Sequence, residues 1–456
     1  MDLFGTAGIR GPVDSTVRPE LALAVGRAAG IDVSHTIIGR DGRLTGPAIE
    51  SALTAGLHSV GSNVTHCGVV PTPVLAHASI GKLGIMITAS HNPPTDNGIK
   101  IFKDGREIDE DQEKVIAQRV SDGIQQAEWK SWSSSESIDA ITDYRKSVLS
   151  YLAAQQTDLS ELTIALGCGN GTAGLIAPTI FSDFGADISA INANVDGTFP
   201  ARPSKPTQES LESFSKYVSQ GDFSIGFAYD GDADRIVVLS SRGQVIHEDT
   251  IVAILAEYYV RQSEIPDPVV VTTPNASARI DERVTAAGGR VERCPLGALH
   301  EGIEQYETAP NSGESVVFAA EPWKHIHPKF GGWIDGILSG LVIAQLTVEA
   351  GGLGALRSPI NEPPNRKINV GCPDELKQRV MNQLELRISD QFAKDSVRSD
   401  NGIRVDRSDG SWFLIRPSGT EPFIRIYIES PGEIEDLSDS ISGTVEEIVT
   451  ENESPH

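Results

Sequence analysis

Short apolar runs that end in glycine-containing turns, followed by helical periodicity, recur along this chain, and that alternation admits few folds. Thr36-Ile37-Ile38, Leu83 to Ile87 and Leu162 to Leu166 are such runs. A strand that feeds a turn and then a helix packs into α/β layers with parallel or mixed sheets. At 456 residues the chain exceeds what one hydrophobic core supports, so the layers must be divided among several units. The Ser- and Trp-rich stretch from Ala127 to Ser137 separates a first unit from the helix-like Tyr144 to Gln155, and a second strand-turn-helix unit begins at Leu162. Strand-like Phe223 to Ala228 and Arg235 to Ser240 flank an acidic loop, after which Asp249 to Tyr259 has the apolar spacing of a helix. Asn361 to Asn365, with Pro363 and Pro364, interrupts regular structure ahead of a final unit, where Trp412 to Ile415 and Ile424 to Ile428 read as strands around a polar loop. The expected units are residues 1–150, 151–246, 247–360 and 361–456. No clean sequence repeat is visible, although three α/β units in a row could share one fold.

Charge narrows the partners. Asp and Glu outnumber Lys and Arg 63 to 38, a net charge of −25, which argues against nucleic acid or an anionic membrane surface as the ligand. Only 13 of the 38 basic residues are lysines, and an acidic, lysine-poor surface suits the salt-filled cytoplasm of a halophile. Cys67, Cys168, Cys294 and Cys372 have no paired spacing, so free buried thiols are expected in place of a disulfide framework or zinc site. Met1 to Gly5 lacks the basic and apolar regions of a signal peptide, and no apolar run approaches 18 residues. A soluble, cytoplasmic protein is expected.

Three segments carry chemistry. Thr88-Ala89-Ser90-His91-Asn92-Pro93 follows the strand-like Leu83 to Ile87, which presents a hydroxyl and an imidazole at the end of a sheet, where α/β proteins place ligands. His91 and Lys100 are near enough in sequence to activate Ser90, although from spacing alone a Ser-His turn is more often structural. Asp230-Gly231-Asp232-Ala233-Asp234-Arg235 sets three carboxylates at alternate positions between two apolar strands. It begins like a calcium loop but lacks that loop's Gly at position six and Glu at position twelve, and an open three-carboxylate site suits Mg²⁺ better. Arg416-Pro417-Ser418-Gly419-Thr420-Glu421-Pro422, with Arg425 following, combines guanidinium, hydroxyls and a close-approach glycine, the chemistry that grips a phosphate dianion. Gly169-Asn170-Gly171-Thr172-Ala173-Gly174 matches the dinucleotide fingerprint, but the following strand, Asp187 to Asn194, ends in amides instead of the ribose-binding acid, so a structural turn is the better reading.

With an opening Phe4-Gly5-Thr6-Ala7-Gly8-Ile9-Arg10-Gly11, these segments resemble the α-D-phosphohexomutase family, in the family's order and across the whole chain. The resemblance implies an α/β protein of four domains, three related α/β/α units with mixed sheets and a C-terminal α+β domain of different topology. It implies an intramolecular phosphotransferase that interconverts hexose 1-phosphate and hexose 6-phosphate through a phosphoserine enzyme, with a hexose bisphosphate as intermediate and activator. Ser90 would be the phosphorylated residue, and Asp230, Asp232 and Asp234 would hold one Mg²⁺ together with its phosphate. Arg10, His91, Lys100 and Arg235 would neutralise the transferring phosphoryl group or move protons, and Arg416, Ser418, Gly419, Thr420 and Arg425 would hold the phosphate that is not reacting. Gly39-Arg40-Asp41-Gly42-Arg43 is similar to a segment that supports the site.

The family's sugar-reading loop, Glu-x-Ser-Gly-His, is here Glu321-Pro322-Trp323-Lys324-His325, which keeps Glu321 and His325 as substrate contacts but places Trp and Lys where Ser and Gly stand. The opening motif is closer to the glucosamine-phosphate branch than to the mannose and glucose branch, so phosphoglucosamine mutase is expected, with phosphomannomutase or phosphoglucomutase as the alternative. A metal-dependent sugar-phosphate phosphatase could also use Ser90 and the three aspartates, yet it would need no second phosphate clamp at Arg416.

Overall fold

The computed structural model describes residues 3–5, 8–308, 313–399, 401–418 and 421–453. Three sheets in succession repeat one topology. In the first, Asn63–Val69, His35–Arg40 and Leu83–Ile87 lie parallel in that spatial order, and Asp96–Lys103 returns antiparallel to the last. In the second, the corresponding strands are Asp187–Ile191, Thr163–Gly167 and Ile225–Tyr229, with Ile236–Ser240 returning. In the third they are Arg290–Arg293, Asp267–Thr272 and Glu314–Glu321, with Lys324–Ile326 returning. The first sheet is extended at its edges by Ile9–Pro12 and Ser135–Ser137. A repeat invisible in residue identities is therefore explicit in strand order, and both the mixed-sheet α/β layers expected from the alternating pattern and the three related α/β/α units implied by the family resemblance are present.

The inner parallel strands, such as Leu83–Ile87, Thr163–Gly167 and Asp267–Thr272, carry apolar runs because they are buried within the layers. The helix Gly336–Glu349 is apolar nearly all round and is buried from Gly336 to Thr347, as a helix wedged between units must be. Asp335 caps it, accepting from the N–H groups of Ile337 and Leu338, and also accepts the Tyr144 hydroxyl at 2.9 Å and the Trp333 indole N–H at 3.0 Å. One cluster of buried side chains runs from Ile37 of the first sheet through Phe227 of the second to Phe318 of the third. The three α/β units thus share a core. The helix Ala140–Ala153, which contributes Tyr144, Val148 and Leu152 to that core, runs through residue 150.

The last unit differs. Asn365–Gly371, Phe423–Glu429, Trp412–Pro417, Ile403–Asp406 and Ser396–Arg398 form an antiparallel sheet. Helices Asp374–Gln391 and Ile434–Glu453 cover one face, their apolar residues recurring every three or four positions, as in Val380, Leu384 and Ile388. This unit has its own core, drawn entirely from residues 368–449. Among the described residues the four cysteines are free, and no helix is long and apolar enough to cross a membrane.

Candidate active site

The chemistry-bearing segments occupy one topological position. In each α/β unit the turn between the third parallel strand and the returning fourth strand lies at the carboxyl edge of the sheet. That turn is residues 88–95 in the first unit, 230–235 in the second and Pro322-Trp323 in the third. The hairpin turn after Trp412–Pro417 supplies the fourth segment. Ends of sheets leave main-chain groups free to meet ligands, and sheets that pack edge to edge bring such turns together.

Ser90 is fully buried, in a left-handed conformation with φ 50°, the kind of strained backbone that surroundings must hold in place. Arg43 does so. Its guanidinium donates to the carbonyls of Ser90 and Asn92 at 3.0 and 2.8 Å and to that of Asp96 at 2.8 Å, while Asp41 accepts its Nε–H at 3.0 Å and the Thr88 hydroxyl at 2.7 Å. Ser90 Oγ donates to Asp230 Oδ2 at 2.7 Å and lies 3.3 Å from His91 Nδ1. Ser90 and the acidic loop, 140 residues apart in sequence, are thus in direct contact. Burial, with Arg235, Arg10 and Lys205 nearby, pushes the His91 pKa down to about 2, so the ring is neutral.

The three aspartates are buried and offer carboxylate oxygens within 4.8 Å of one another, the one cluster of its kind among the described residues. Lys100 Nζ lies 2.6 Å from Asp234 Oδ2 and 3.4 Å from Asp232 Oδ2, and the Thr72 hydroxyl donates to Asp232 at 2.6 Å. Burial opposes the charge on Lys100, but Asp232, Asp234 and Glu107 outweigh it and hold the pKa above the usual lysine value. Lys100 is therefore a fixed cation. Burial, with Asp234 and Asp232 adding, pushes the Asp230 pKa well above the usual carboxylate range. Asp232 Oδ1 and Asp234 Oδ1 are buried with no hydrogen-bond partner. Orphaned hard oxygens beside a third carboxylate are what a Mg²⁺ ion needs, so the residues present fit that ion.

A cleft of about 580 Å³ joins this centre to the last unit, lined by Arg10, His91 and Arg235 at one end and Arg416, Ser418 and Arg425 at the other. Arg416 and Arg425 are cross-strand partners. Arg425 also meets Asn369 Oδ1 at 3.3 Å and Glu421 at 3.0 Å, whereas among the described residues the Arg416 Nε–H reaches only the carbonyl of Pro417. Gly419 and Thr420 lie outside the described residues. Arg10 projects from the edge strand Ile9–Pro12, its buried Nε without a partner. Glu321 and Lys324 line the cleft, but His325 does not: it is buried among Phe318, His327 and Ser339, with Nδ1 3.0 Å from the Ser339 hydroxyl. Trp323 lines the cleft while its ring packs on the outer core of the second unit.

Sequence reasoning missed Lys205 and Lys367, which add positive charge along the same cleft; each sits in a polar stretch with no distinguishing neighbour. It also missed Thr72, whose signal is only its position in Pro71-Thr72-Pro73 at a helix start. The glycine-rich turn at 169–174 packs against the acidic loop: a Cβ at Gly171 would meet the carbonyls of Asp230 and Gly231 at 2.8 Å, and Thr172 N–H donates to the Gly231 carbonyl at 3.0 Å.

Family models place the chain as a whole. Phosphoglucomutase/phosphomannomutase α/β/α domains I, II and III match residues 1–127, 140–243 and 247–361, and the C-terminal domain of the same family matches residues 368–441. Among relatives, a phosphopentomutase of Thermococcus kodakarensis is 39% identical over 99% of this chain and 100% of its own. A phosphoglucosamine mutase of Methanococcus maripaludis is 35% identical over 95% of each chain. A crystal structure of a phosphoglucomutase/phosphomannomutase family protein from Burkholderia thailandensis shares the fold at a TM-score of 0.85, with 24% identity and 97% of each chain covered.

Proposed function

The chain belongs to the phosphoglucomutase/phosphomannomutase family of α-D-phosphohexomutases and is an isomerase of the intramolecular phosphotransferase class; from that premise we propose that it moves a phosphate between the anomeric and terminal hydroxyls of a sugar phosphate, using Ser90 as the relay. One observation carries the reading: His91 and Arg235, next in sequence to the buried Ser90 and to the last of the three buried aspartates, line a cleft that is also lined by the cross-strand partners Arg416 and Arg425. A phosphatase needs the serine and the aspartates alone. A mutase needs the arginine pair as well, because its bisphosphate intermediate must present each phosphate to Ser90 while the other is held.

In the first transfer a sugar oxygen forms the new bond to phosphorus as the Ser90 Oγ–P bond breaks, and the proton lost by the sugar hydroxyl is the one Ser90 Oγ gains; in the second, Ser90 Oγ bonds the other phosphorus as that sugar O–P bond breaks, and the Ser90 proton passes to the departing sugar oxygen. His91 Nδ1, 3.3 Å from Ser90 Oγ, would hydrogen-bond that oxygen as the proton moves. Arg10 and Arg235, which line the cleft with His91, would meet the charge that gathers on the equatorial phosphoryl oxygens, and Arg43 keeps the serine turn in its strained shape. Asp230, Asp232 and Asp234 would hold Mg²⁺, which when bound neutralises phosphoryl oxygens. Lys100 then offsets the residual carboxylate charge beside it. In these terms the four units carry the phosphoserine, the metal, the sugar loop and the phosphate clamp in turn.

Two sugars compete. Glucosamine phosphate is the reading from the opening motif, supported by relatives named phosphoglucosamine mutase; pentose phosphate is the second, favoured by the Thermococcus relative and by the charge beside Glu321. Purified protein with Mg²⁺ and an aldose 1-phosphate should accumulate the terminal phosphate isomer, with a catalytic amount of the bisphosphate as activator. Release of inorganic phosphate in its place would favour the phosphatase.

A further inference from the structure

The hairpin that carries Glu321 holds a charge pair that phosphoryl transfer does not require. Strands Glu314–Glu321 and Lys324–Ile326 are joined by Pro322 and Trp323 alone, and Trp323 closes the turn at φ 66°. In this register Glu321 and Lys324 are direct cross-strand partners, so their side chains leave the same face. Lys324 Nζ lies 3.2 Å from Glu321 Oε2, and Glu321 Oε1 accepts the N–H of Gly297. Both carboxylate oxygens are engaged before a ligand arrives. Burial works against the charge of Glu321, but Lys324 and the Gly297 N–H hold its carboxyl below the usual range.

The ammonium has little freedom to leave. Lys324 is bridged main chain to main chain with Arg235 of the acidic loop, and the neighbouring Trp323 carbonyl accepts the N–H of Ile236 at 3.2 Å. The Lys324 side chain is 16% exposed, and it borders both the cleft and a small void that reaches Asp234 and Lys100. The Trp323 ring, packed on the second unit, pins the turn from the other side.

Charge decides what such a pair reads. A lone carboxylate would attract a sugar ammonium, but one already matched by a fixed ammonium offers no net charge, and an incoming ammonium meets a like charge in a half-buried site. Hydroxyls meet no such penalty: Glu321 has lone pairs to accept them, and the remaining Lys324 N–H groups donate to sugar oxygens. We propose that Lys324 is a specificity-determining residue that sets this subsite for neutral sugar phosphates, pentose or hexose, and against 2-amino sugars. The inference rests on the cleft being the phosphosugar site described above, and of the two sugars named there it selects the pentose.

The test compares kcat/KM for ribose 1-phosphate, glucose 1-phosphate, glucosamine 1-phosphate and N-acetylglucosamine 1-phosphate at about pH 6.5, where an ordinary amine is charged. The wild-type protein should prefer the better neutral sugar to glucosamine by about tenfold or more. Lys324→Met should raise glucosamine relative to glucose by about tenfold, leave N-acetylglucosamine relative to glucose unchanged, and be reversed by Lys324→Arg. A wild-type preference for glucosamine would overturn the proposal. So would a Lys324→Met loss that is equal for every sugar, the mark of a phosphate contact or a loop support. If Lys324→Met does not fold, calorimetric binding of glucose 6-phosphate and glucosamine 6-phosphate to Ser90→Ala protein makes the same comparison with Lys324 intact, and tighter binding of glucosamine 6-phosphate would refute the assignment. Failure of the mutase reading looks different: none of the four sugars would be isomerised.

Discussion

Arg416 and Arg425 stand opposite each other on adjacent antiparallel strands, both facing the cleft. Like charges directly opposite in a sheet cost about 0.2–1 kcal/mol, and here one of the two, Arg425, has a carboxylate partner in Glu421 to relieve it. Arg416→Ala should therefore leave the thermal midpoint unchanged or slightly raised. Its effect on binding should be the reverse: losing one charge-assisted phosphate contact costs about 1.5–3 kcal/mol, roughly ten- to a hundredfold in KM. If one clamp serves both orientations of the intermediate, as proposed, the rise should appear for the 1-phosphate and for the terminal phosphate alike. Coupled assays run in both directions, with a melting curve on the same preparation, measure each part. A KM change for only one direction's substrate, after correction for the overall equilibrium, would refute the shared clamp. A lower midpoint with unchanged KM would make Arg416 structural.

Ser90→Ala should lose at least about 10²-fold in kcat, and peptide mass analysis of active wild-type protein should locate a phosphate on Ser90; the modification on another residue with Ser90→Ala active would refute the relay. Asp232→Asn should weaken Mg²⁺ binding by calorimetry while far-UV dichroism is unchanged, since it removes one of three charges, and chelation should abolish turnover; a chelated protein that still isomerises sugar phosphates would refute the metal site. Burial pushes the Asp249 pKa up to about 8, with Glu248 and Glu429 adding and Arg279 opposing. The folded chain then keeps a proton that the unfolded chain loses near pH 4, so stability falls as pH rises from about 4 to about 8. Asp249→Asn should gain in thermal midpoint relative to wild type at pH 8 more than at pH 5, and an equal difference at both would contradict the shifted group.

Much of the architecture was legible because apolar runs and turn glycines are local signals. The expected strand Leu83 to Ile87 has those bounds in the fold, and Arg235 to Ser240 appears as Ile236–Ser240. A local signal also marked the three aspartates, since alternate carboxylates between apolar strands repel one another without a cation; Ser90 and Arg416 were singled out by the family resemblance, because a Ser-His turn or a Pro-Gly turn is by itself often structural. What stayed hidden was pairing. No spacing shows that Thr72 donates to Asp232, that Arg43 holds the carbonyls of the serine turn, or that Lys324 neutralises Glu321 instead of pointing into solvent. His325 illustrates the same limit: its motif suggested a substrate contact, while the alternation of a short strand turns it toward Phe318 and away from the cleft.

The division of cores determines which part of the site can adjust. The serine, acidic and sugar turns belong to units that share one buried cluster, and they are also joined turn to turn, by the Thr72 hydroxyl on Asp232 and by Ile236 N–H on the Trp323 carbonyl. Moving any of them against the others would open close-packed core, where each lost methylene contact is felt. The phosphate clamp sits on a unit with its own core, joined to the third unit through polar links: the buried Arg279–Glu429 pair at 2.8 Å, the Ser277 hydroxyl on the same carboxylate, and Arg404 donating to the carbonyls of Pro274 and Ala276. Polar links can be exchanged for water at a small net cost, unlike apolar core. The distance between Ser90 and the Arg416 loop is thus the dimension of the cleft that changes most cheaply, and in the proposed mutase cycle it is the dimension along which a bisphosphate would be released, turned and gripped again.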